Sequence, residues 1–257
     1  MLNNRNIQIL FLLILATLIF FDFRSGIPFY LYLVLVVVYL SVTVYGSSVI
    51  QANYFLHSVC KGDTRAKAIA ITFDDGPSSG HTENVLNILK THNAPAAFFV
   101  IGKNIAGNEV LVKRMDSEGH IIGNHSYSHN YWFSMMSANN MLRDLKACDG
   151  EIKRVINKQT RLFRPPYGVT NPMVAKSVKN GSYISVGWSL RTFDTTAKDP
   201  GKLLQKALTN LHNGDVVLFH DWAPYTAQML GDFITAARAA GFAIIRVDDL
   251  LRIKPYI

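Results

Sequence analysis

Ala68-Ile69-Ala70-Ile71-Thr72-Phe73-Asp74-Asp75-Gly76-Pro77 is an apolar run that ends in two carboxylates and a Gly-Pro turn. The run Ala68–Phe73 has the length and composition of a buried strand. Three further words follow the same plan at the ends of short apolar runs: His125-Ser126-Tyr127-Ser128-His129, Arg164-Pro165-Pro166-Tyr167-Gly168 and Leu218-Phe219-His220-Asp221. Together they supply a carboxylate pair, two histidines at metal-ligand spacing, a cation and a further histidine. Strand ends are where barrel enzymes carry their chemistry.

Working outward, the chain alternates strand-like and helix-like segments. Strands are expected at Ala68–Phe73, Ala96–Ile101, His120–Asn124, Leu162–Arg164, Tyr183–Trp188, Asp215–His220 and Phe242–Val247. Helices are expected at His81–His92, Asn108–Glu118, Ala138–Asn157, Pro172–Asn180, Pro200–Asn213 and Ala227–Ala240, several stopped by a glycine such as Gly119, Gly181, Gly214 or Gly241. This alternation predicts an α/β fold with a parallel sheet. About seven strands in fewer than two hundred residues fit a small, incomplete barrel better than an open doubly wound sheet.

Of the 257 residues, 49% are hydrophobic and only 17% charged, against roughly 25% charged in an average soluble domain. The shortfall lies at the start, where Arg5, Asp22 and Arg24 are the only charges before Lys61. Two apolar stretches, Ile7–Phe23 and Phe29–Tyr45, are joined by Arg24-Ser25-Gly26-Ile27-Pro28. Each falls a little short of the ~20 residues of a membrane span, and tyrosines flank or line the second. Asp22-Phe23-Arg24 makes a poor cleavage site, so residues 1–50 are expected to form a retained transmembrane helical hairpin contacting membrane lipid. Residues 51–65 are expected to be a linker and 66–257 the catalytic domain. The positive charge, +8 overall, is spread without a Lys/Arg block, which excludes a nucleic-acid partner of the usual kind. Cys60 and Cys148 form no zinc or redox motif and are expected to be unpaired.

Adjacent side chains at a strand end point to different sides, so Asp74 and Asp75 can divide base and ligand roles; the bland alternative is an Asp-Gly-Pro turn. His125 and His129 converge on one cation if their segment forms a helical turn; in isolation they read as incidental loop histidines. With Asp75 they form a two-histidine, one-carboxylate set that leaves coordination positions open. Zn²⁺ suits these ligands, and Co²⁺, Ni²⁺, Mn²⁺ and Fe²⁺ are compatible. Arg164, stiffened by two following prolines, is placed to orient an acid. His220 at a strand mouth has the titration range of a proton donor, although a lone histidine there is more often a core residue.

The ordered set T-F-D-D-G-P, H-S-x-S-H, R-P-P-Y-G and L-F-H resembles the NodB-homology polysaccharide deacetylases, carbohydrate esterase family four, over Lys67 to Leu251. The resemblance implies a distorted (β/α) barrel and removal of acetyl groups from an acetylated glycan substrate. By motif, Asp74 is the general base, Asp75, His125 and His129 hold the divalent metal, and Arg164 orients Asp74. The resemblance likewise implies that the backbone N–H of Tyr167 would help to hold the oxyanion, that His220 would be the general acid, and that Asp194 would orient His220. Where the family shows D-x-x-D-W, this chain has Arg191-Thr192-Phe193-Asp194-Thr195. The missing tryptophan normally walls the pocket for the acetyl methyl; Trp188, Trp222 and Leu218 are candidates to replace it.

The leading expectation is therefore a metal-dependent N-deacetylase of peptidoglycan or another envelope polymer. The alternatives are an O-acetyl esterase on the same fold and a catalytically silent, membrane-held glycan-binding module. The few positive charges around the hairpin would place the domain in the cytoplasm if counted literally; the substrate class argues for the extracytoplasmic side.

Overall fold

A computed structural model describes residues 3–257. The chain opens with two helices, α1 (Asn4–Ser25) and α2 (Phe29–Ser48). The domain follows as β1 (Ser58–Val59), β2 (Ala68–Asp74), α3 (His81–Thr91), β3 (Ala96–Val100), α4 (Glu109–Ser117), β4 (Ile121–Asn124), α5 (Ala138–Ile156) and β5 (Leu162–Phe163). It continues with α6 (Pro172–Gly181), β6 (Ile184–Val186), β7 (Leu190–Arg191), α7 (Pro200–Thr209), β8 (Val216–His220), α8 (Thr226–Ala239), β9 (Ala243–Ile244) and α9 (Val247–Leu251).

All strand pairs are parallel, in the order β1-β6-β5-β4-β3-β2-β8-β7, with β9 beside the first two residues of β2. The sheet curls into an open barrel whose ends, β1 and β7, do not pair. The expected α/β barrel is therefore present, with two short strands, β1 and β7, beyond the expected set. Residues 51–65 are more than the linker expected. They contribute β1, and Lys61 bridges to Asp215. Two-residue strands carry no detectable period, which is why β1 escapes a reading by pattern. The run Phe242–Val247, expected as one strand, pairs only at Ala243 and Ile244 before Val247 opens α9.

Strand period sets the core. On β2, Ile69, Ile71 and Phe73 face outward into the large cluster formed with α3, α4, α7 and α8. Ala68 and Ala70 face inward with Ala97, Phe99, Ile121, Leu162, Val186 and Val216, and Val247, Leu250 and Leu251 of α9 close that inner cluster. Small alanines leave room in the narrow interior, while burial of each large outer side chain contributes about 1.5–3 kcal/mol. Thr72 and Asp74 continue the inward row and are also buried. The same period that packs the core thus delivers a carboxylate to the C-terminal mouth.

α1 and α2 are 22 and 20 residues long, about 33 and 30 Å at 1.5 Å per residue, enough to cross a bilayer. They lie antiparallel, with Phe11 against Tyr39. α1 buries nothing and α2 only Gly46, so most of their leucine, valine and phenylalanine side chains stay exposed. The foot of the hairpin meets the domain near the C-terminal mouth of the barrel. Ser47 exchanges two hydrogen bonds with Thr170, and Asn4 N–H donates to Tyr54 O. Both cysteines are free thiols.

Candidate active site

The expected residues from β2, β4, β5, β8 and the segment after β7 meet at the C-terminal ends of the strands. Asp74 ends β2 and Arg164 follows β5. One guanidinium nitrogen of Arg164 donates to Asp74 Oδ1 at 2.7 Å and to Thr72 Oγ1 at 2.8 Å. The other two nitrogens donate to Val186 O and Gly187 O, and the group lies 4.0 Å from the centre of the Phe99 ring. Arg164 is completely buried. Burial lowers its pKa against the pull of Asp74, but an arginine stays charged in proteins. A buried cation with all three guanidinium nitrogens hydrogen-bonded holds Asp74 in one orientation.

Asp75 lies just past the strand with φ of +75°, which turns its side chain away from Asp74. Its Oδ1 stands 3.4 Å from His125 Nε2 and 3.3 Å from His129 Nε2, and one donor atom from each residue lies within 4.8 Å of the others. Ligand atoms at ~2.1 Å from a tetrahedral ion are about 3.4 Å apart, so the Asp75 separations fit a divalent metal. The tautomer fits as well. His125 Nδ1 is 2.8 Å from Arg164 O; a carbonyl only accepts, so Nδ1 carries the hydrogen and Nε2 presents a lone pair. Burial opposes the Asp75 charge, yet when the neighbouring rings carry protons the hydrogen bond and charge of His125, with His129 and His220, hold its carboxyl well below the usual range. Burial, reinforced by His125, pushes His129 down to about 4, which keeps it neutral and able to ligate.

The histidine segment is a loop rather than the helical turn considered for it. Ser126 and His129 both take positive φ, 67° and 44°. The loop is pinned from α5, where Asp144 accepts from the N–H groups of Tyr127 and Ser128. Asn124 accepts from Ser126 N–H and donates to Asp149. These supports were not legible in the motif, because acids on a helical face read as solvated surface.

On the other side of the mouth, His220 Nδ1 donates to Asp194 Oδ1 at 2.8 Å. Asp194 Oδ2 accepts from His220 N–H and from Thr226 Oγ1. Burial works to lower the His220 pKa, but the hydrogen bond and charge of Asp194 outweigh it and raise the value. The free Nε2 faces the site, 3.9 Å from Asp75 Oδ2. Tyr167 sits in a turn with φ of +60°, its ring 4.7 Å from that of His129. Its backbone N–H has no protein partner among the described residues.

Of the candidates for the missing tryptophan, Trp188 and Leu218 are buried with Ile50, and Trp188 packs under Gly168, where a Cβ would collide with its indole. Trp222 is at the rim, and its Nε1 donates to Asp75 Oδ2 at 3.1 Å. With Asp75, Pro77, Lys103, Asn104 and His129 it lines a cavity of about 650 Å³. No motif marks Trp222; its position two residues past His220 is the only signal. Asp221 turns inward, accepting from Thr82 Oγ1 and packing on Gly76, where no side chain would fit. Burial pushes its carboxyl up to about 7.

Comparison with known proteins places this geometry. The polysaccharide deacetylase family profile matches residues 61–184. The chain is 34% identical over 194 residues to the peptidoglycan-N-acetylmuramic acid deacetylase PdaA of Bacillus subtilis, covering 74% of this chain and 73% of that protein. It is 37% identical over 188 residues to the peptidoglycan-N-acetylglucosamine deacetylase PgdA of Listeria monocytogenes, covering 72% of this chain but 39% of that longer protein. Among solved structures, the Bc1960 peptidoglycan N-acetylglucosamine deacetylase superposes with a TM-score of 0.73 at 26% identity, covering 77% of this chain and 94% of that one. By motif, geometry and kinship, the chain belongs to the polysaccharide deacetylase family.

Proposed function

We propose that this protein is a metal-dependent N-deacetylase of a cell-envelope glycan, with peptidoglycan as the leading substrate. We assign α1 and α2 to a membrane anchor that holds the domain on the extracytoplasmic side. The observation that carries the reading is the convergence at one mouth of Asp74–Arg164, the Asp75–His125–His129 set and the Asp194–His220 pair.

Asp75, His125 and His129 would hold the ion, Zn²⁺ by ligand type with Co²⁺, Ni²⁺, Mn²⁺ and Fe²⁺ compatible. When bound, it supplies a Lewis acid for the acetyl carbonyl and lowers the pKa of a water. Asp74, held by Arg164, accepts the proton of the attacking water. The Tyr167 N–H donates to the oxygen that gains charge as water adds to the carbonyl carbon. His220, charged and steadied by Asp194, delivers a proton to the departing nitrogen, so that the C–N bond breaks to give acetate and an amine. An amine leaves poorly without that proton, whereas an alcohol leaves more easily, so the Asp194–His220 pair favours the amide over an O-acetyl ester.

The test compares acetate release from N-acetylglucosamine oligomers, peptidoglycan and O-acetylated glycans by the full-length protein and its Asp74→Asn variant. The reading expects N-acetyl cleavage that falls by about 10²–10⁴-fold in the variant, with metal binding retained. Preference for O-acetyl substrates would favour the esterase. Unchanged cell-wall function in the variant would favour a silent glycan-binding module.

A further inference from the structure

We propose that a second, cationic cavity between β7 and α7, at the foot of the hairpin, binds a phosphate group at the bilayer surface. That phosphate belongs to a lipid head group or to the lipid end of a membrane-linked glycan, and the proposal rests on reading α1 and α2 as membrane-spanning. The cavity measures about 420 Å³, and Gln51, Ser189, Arg191, Phe193, Lys206 and His212 are among its walls.

Two cations converge on one ring there. The Arg191 guanidinium lies 5.0 Å and Lys206 Nζ 4.4 Å from the centre of Phe193, which brings them within roughly one screening length of each other, ~8–10 Å at 0.1–0.15 M salt. Neither makes an ion pair among the described residues, and the nearby acids are engaged elsewhere. Asp194 is turned to His220 and Thr226, Asp215 holds Lys61, Ser189 and the His212 N–H, and Asp199 caps α7. Phe193 holds a left-handed backbone, φ +61°, with its ring exposed. That conformation is uncommon for a bulky residue, and strained residues of this kind cluster at functional sites. Lys198 and Lys202 extend the positive strip on the far side of Phe193. A planar guanidinium fork beside an ammonium suits phosphate oxygens.

Position supplies the ligand. Gln51 donates to Trp188 O and Ser189 O, tying the cavity wall to the chain only three residues past the end of α2. Three residues span at most about 10 Å, so a hairpin that crosses the bilayer puts this cavity among the head groups. There the anions are phosphates, and juxtamembrane Lys and Arg are attracted to them. Asp194, which steadies His220, follows Phe193 directly, so a phosphate held here also positions a glycan next to the catalytic mouth.

Isothermal titration of the full-length protein in neutral detergent with inorganic pyrophosphate tests the site. The wild type is expected to bind saturably and Arg191→Gln/Lys206→Gln roughly twenty-fold more weakly, about 1 kcal/mol per cation. Arg191→Lys/Lys206→Arg should retain binding, as should Lys113→Gln/Lys153→Gln, which removes the same charge from α4 and α5. In phosphatidylcholine nanodiscs, retention of added phosphatidylglycerol assigns a head group, and retention of a polyprenyl diphosphate alone assigns a lipid-linked glycan. Absent binding, or equal binding by the wild type and the glutamine variant, overturns the site. Protein released from membranes by alkaline carbonate but still binding pyrophosphate overturns the membrane reading while leaving the anion site standing.

Discussion

The two sides of the catalytic mouth are built differently. On the side proposed for base and ligands, Arg164 and His125 are buried next to the central strands β2, β4 and β5, and every guanidinium nitrogen of Arg164 is hydrogen-bonded. On the acid side, Asp194 follows the two-residue edge strand β7 and is flanked by exposed Arg191 and Phe193. The difference is one of rigidity: the proposed base and its arginine stand in the middle of the sheet, enclosed by core side chains, whereas the residue that positions the proposed acid hangs from the sheet's edge. The stretch that departs from the family pattern, Arg191–Thr195, lies at the edge, where Arg191 and Phe193 are exposed. Thr192 and Asp194 are the buried members of that stretch, and the Asp194 carboxylate accepts four hydrogen bonds, from Thr195 N–H, His220 N–H, His220 Nδ1 and Thr226 Oγ1, which suits the positioning role proposed for it.

The sharpest way to break this comparison is Arg164→Met. It leaves the buried Asp74 carboxylate without its partner, and breaking a buried pair costs about 3–5 kcal/mol. Thermal unfolding should show a large fall in Tm; a variant as stable as the wild type would mean the centre is less rigid than described. Asp194→Asn should act on the rate instead, lowering kcat by about 10²-fold with the fold intact. The sign of its pH effect follows from His220. Asp194 raises the His220 pKa, and the group is an acid only while protonated, so activity falls as pH rises through that value. Removing the Asp194 charge lowers the pKa and should move the alkaline limb of the pH–rate profile to lower pH. An unmoved limb would separate His220 from proton delivery. The smallest effect is expected from Trp222→Phe, which keeps the ring but loses the N–H that steadies Asp75 Oδ2. Such supporting contacts change metal affinity by about 10–100-fold, and the lower end suits an exposed donor. Competition with a chelator would read it, and unaltered affinity would remove Trp222 from the ligand support.

Most of the mouth was legible because its residues sit in short words at the ends of apolar runs. Asp74, Asp75, His125, His129, Arg164 and His220 could be found without coordinates, since strand ends impose both composition and order, whereas Tyr167 and Asp194 stand out only through the family resemblance. What pattern did not reveal depends on contacts distant in sequence. Asp144 and Asp149 pin the histidine loop from a helix that looks ordinary in composition. Trp222 reaches Asp75 across 147 positions. β1 is too short for any period and takes its register from β6. The Phe242–Val247 run shows the opposite failure: continuous apolar residues fit a strand, yet α9 starts at Val247 and turns Leu250 and Leu251 into the barrel.

The most direct test of the central claim is acetate release from N-acetylglucosamine oligomers by the full-length protein before and after exhaustive metal removal. The account predicts that stripping the ion abolishes release and that Zn²⁺ or Co²⁺ restores it in the wild type but not in a His125→Ala/His129→Ala variant. Full activity in metal-free protein, or restoration in that variant, would contradict it.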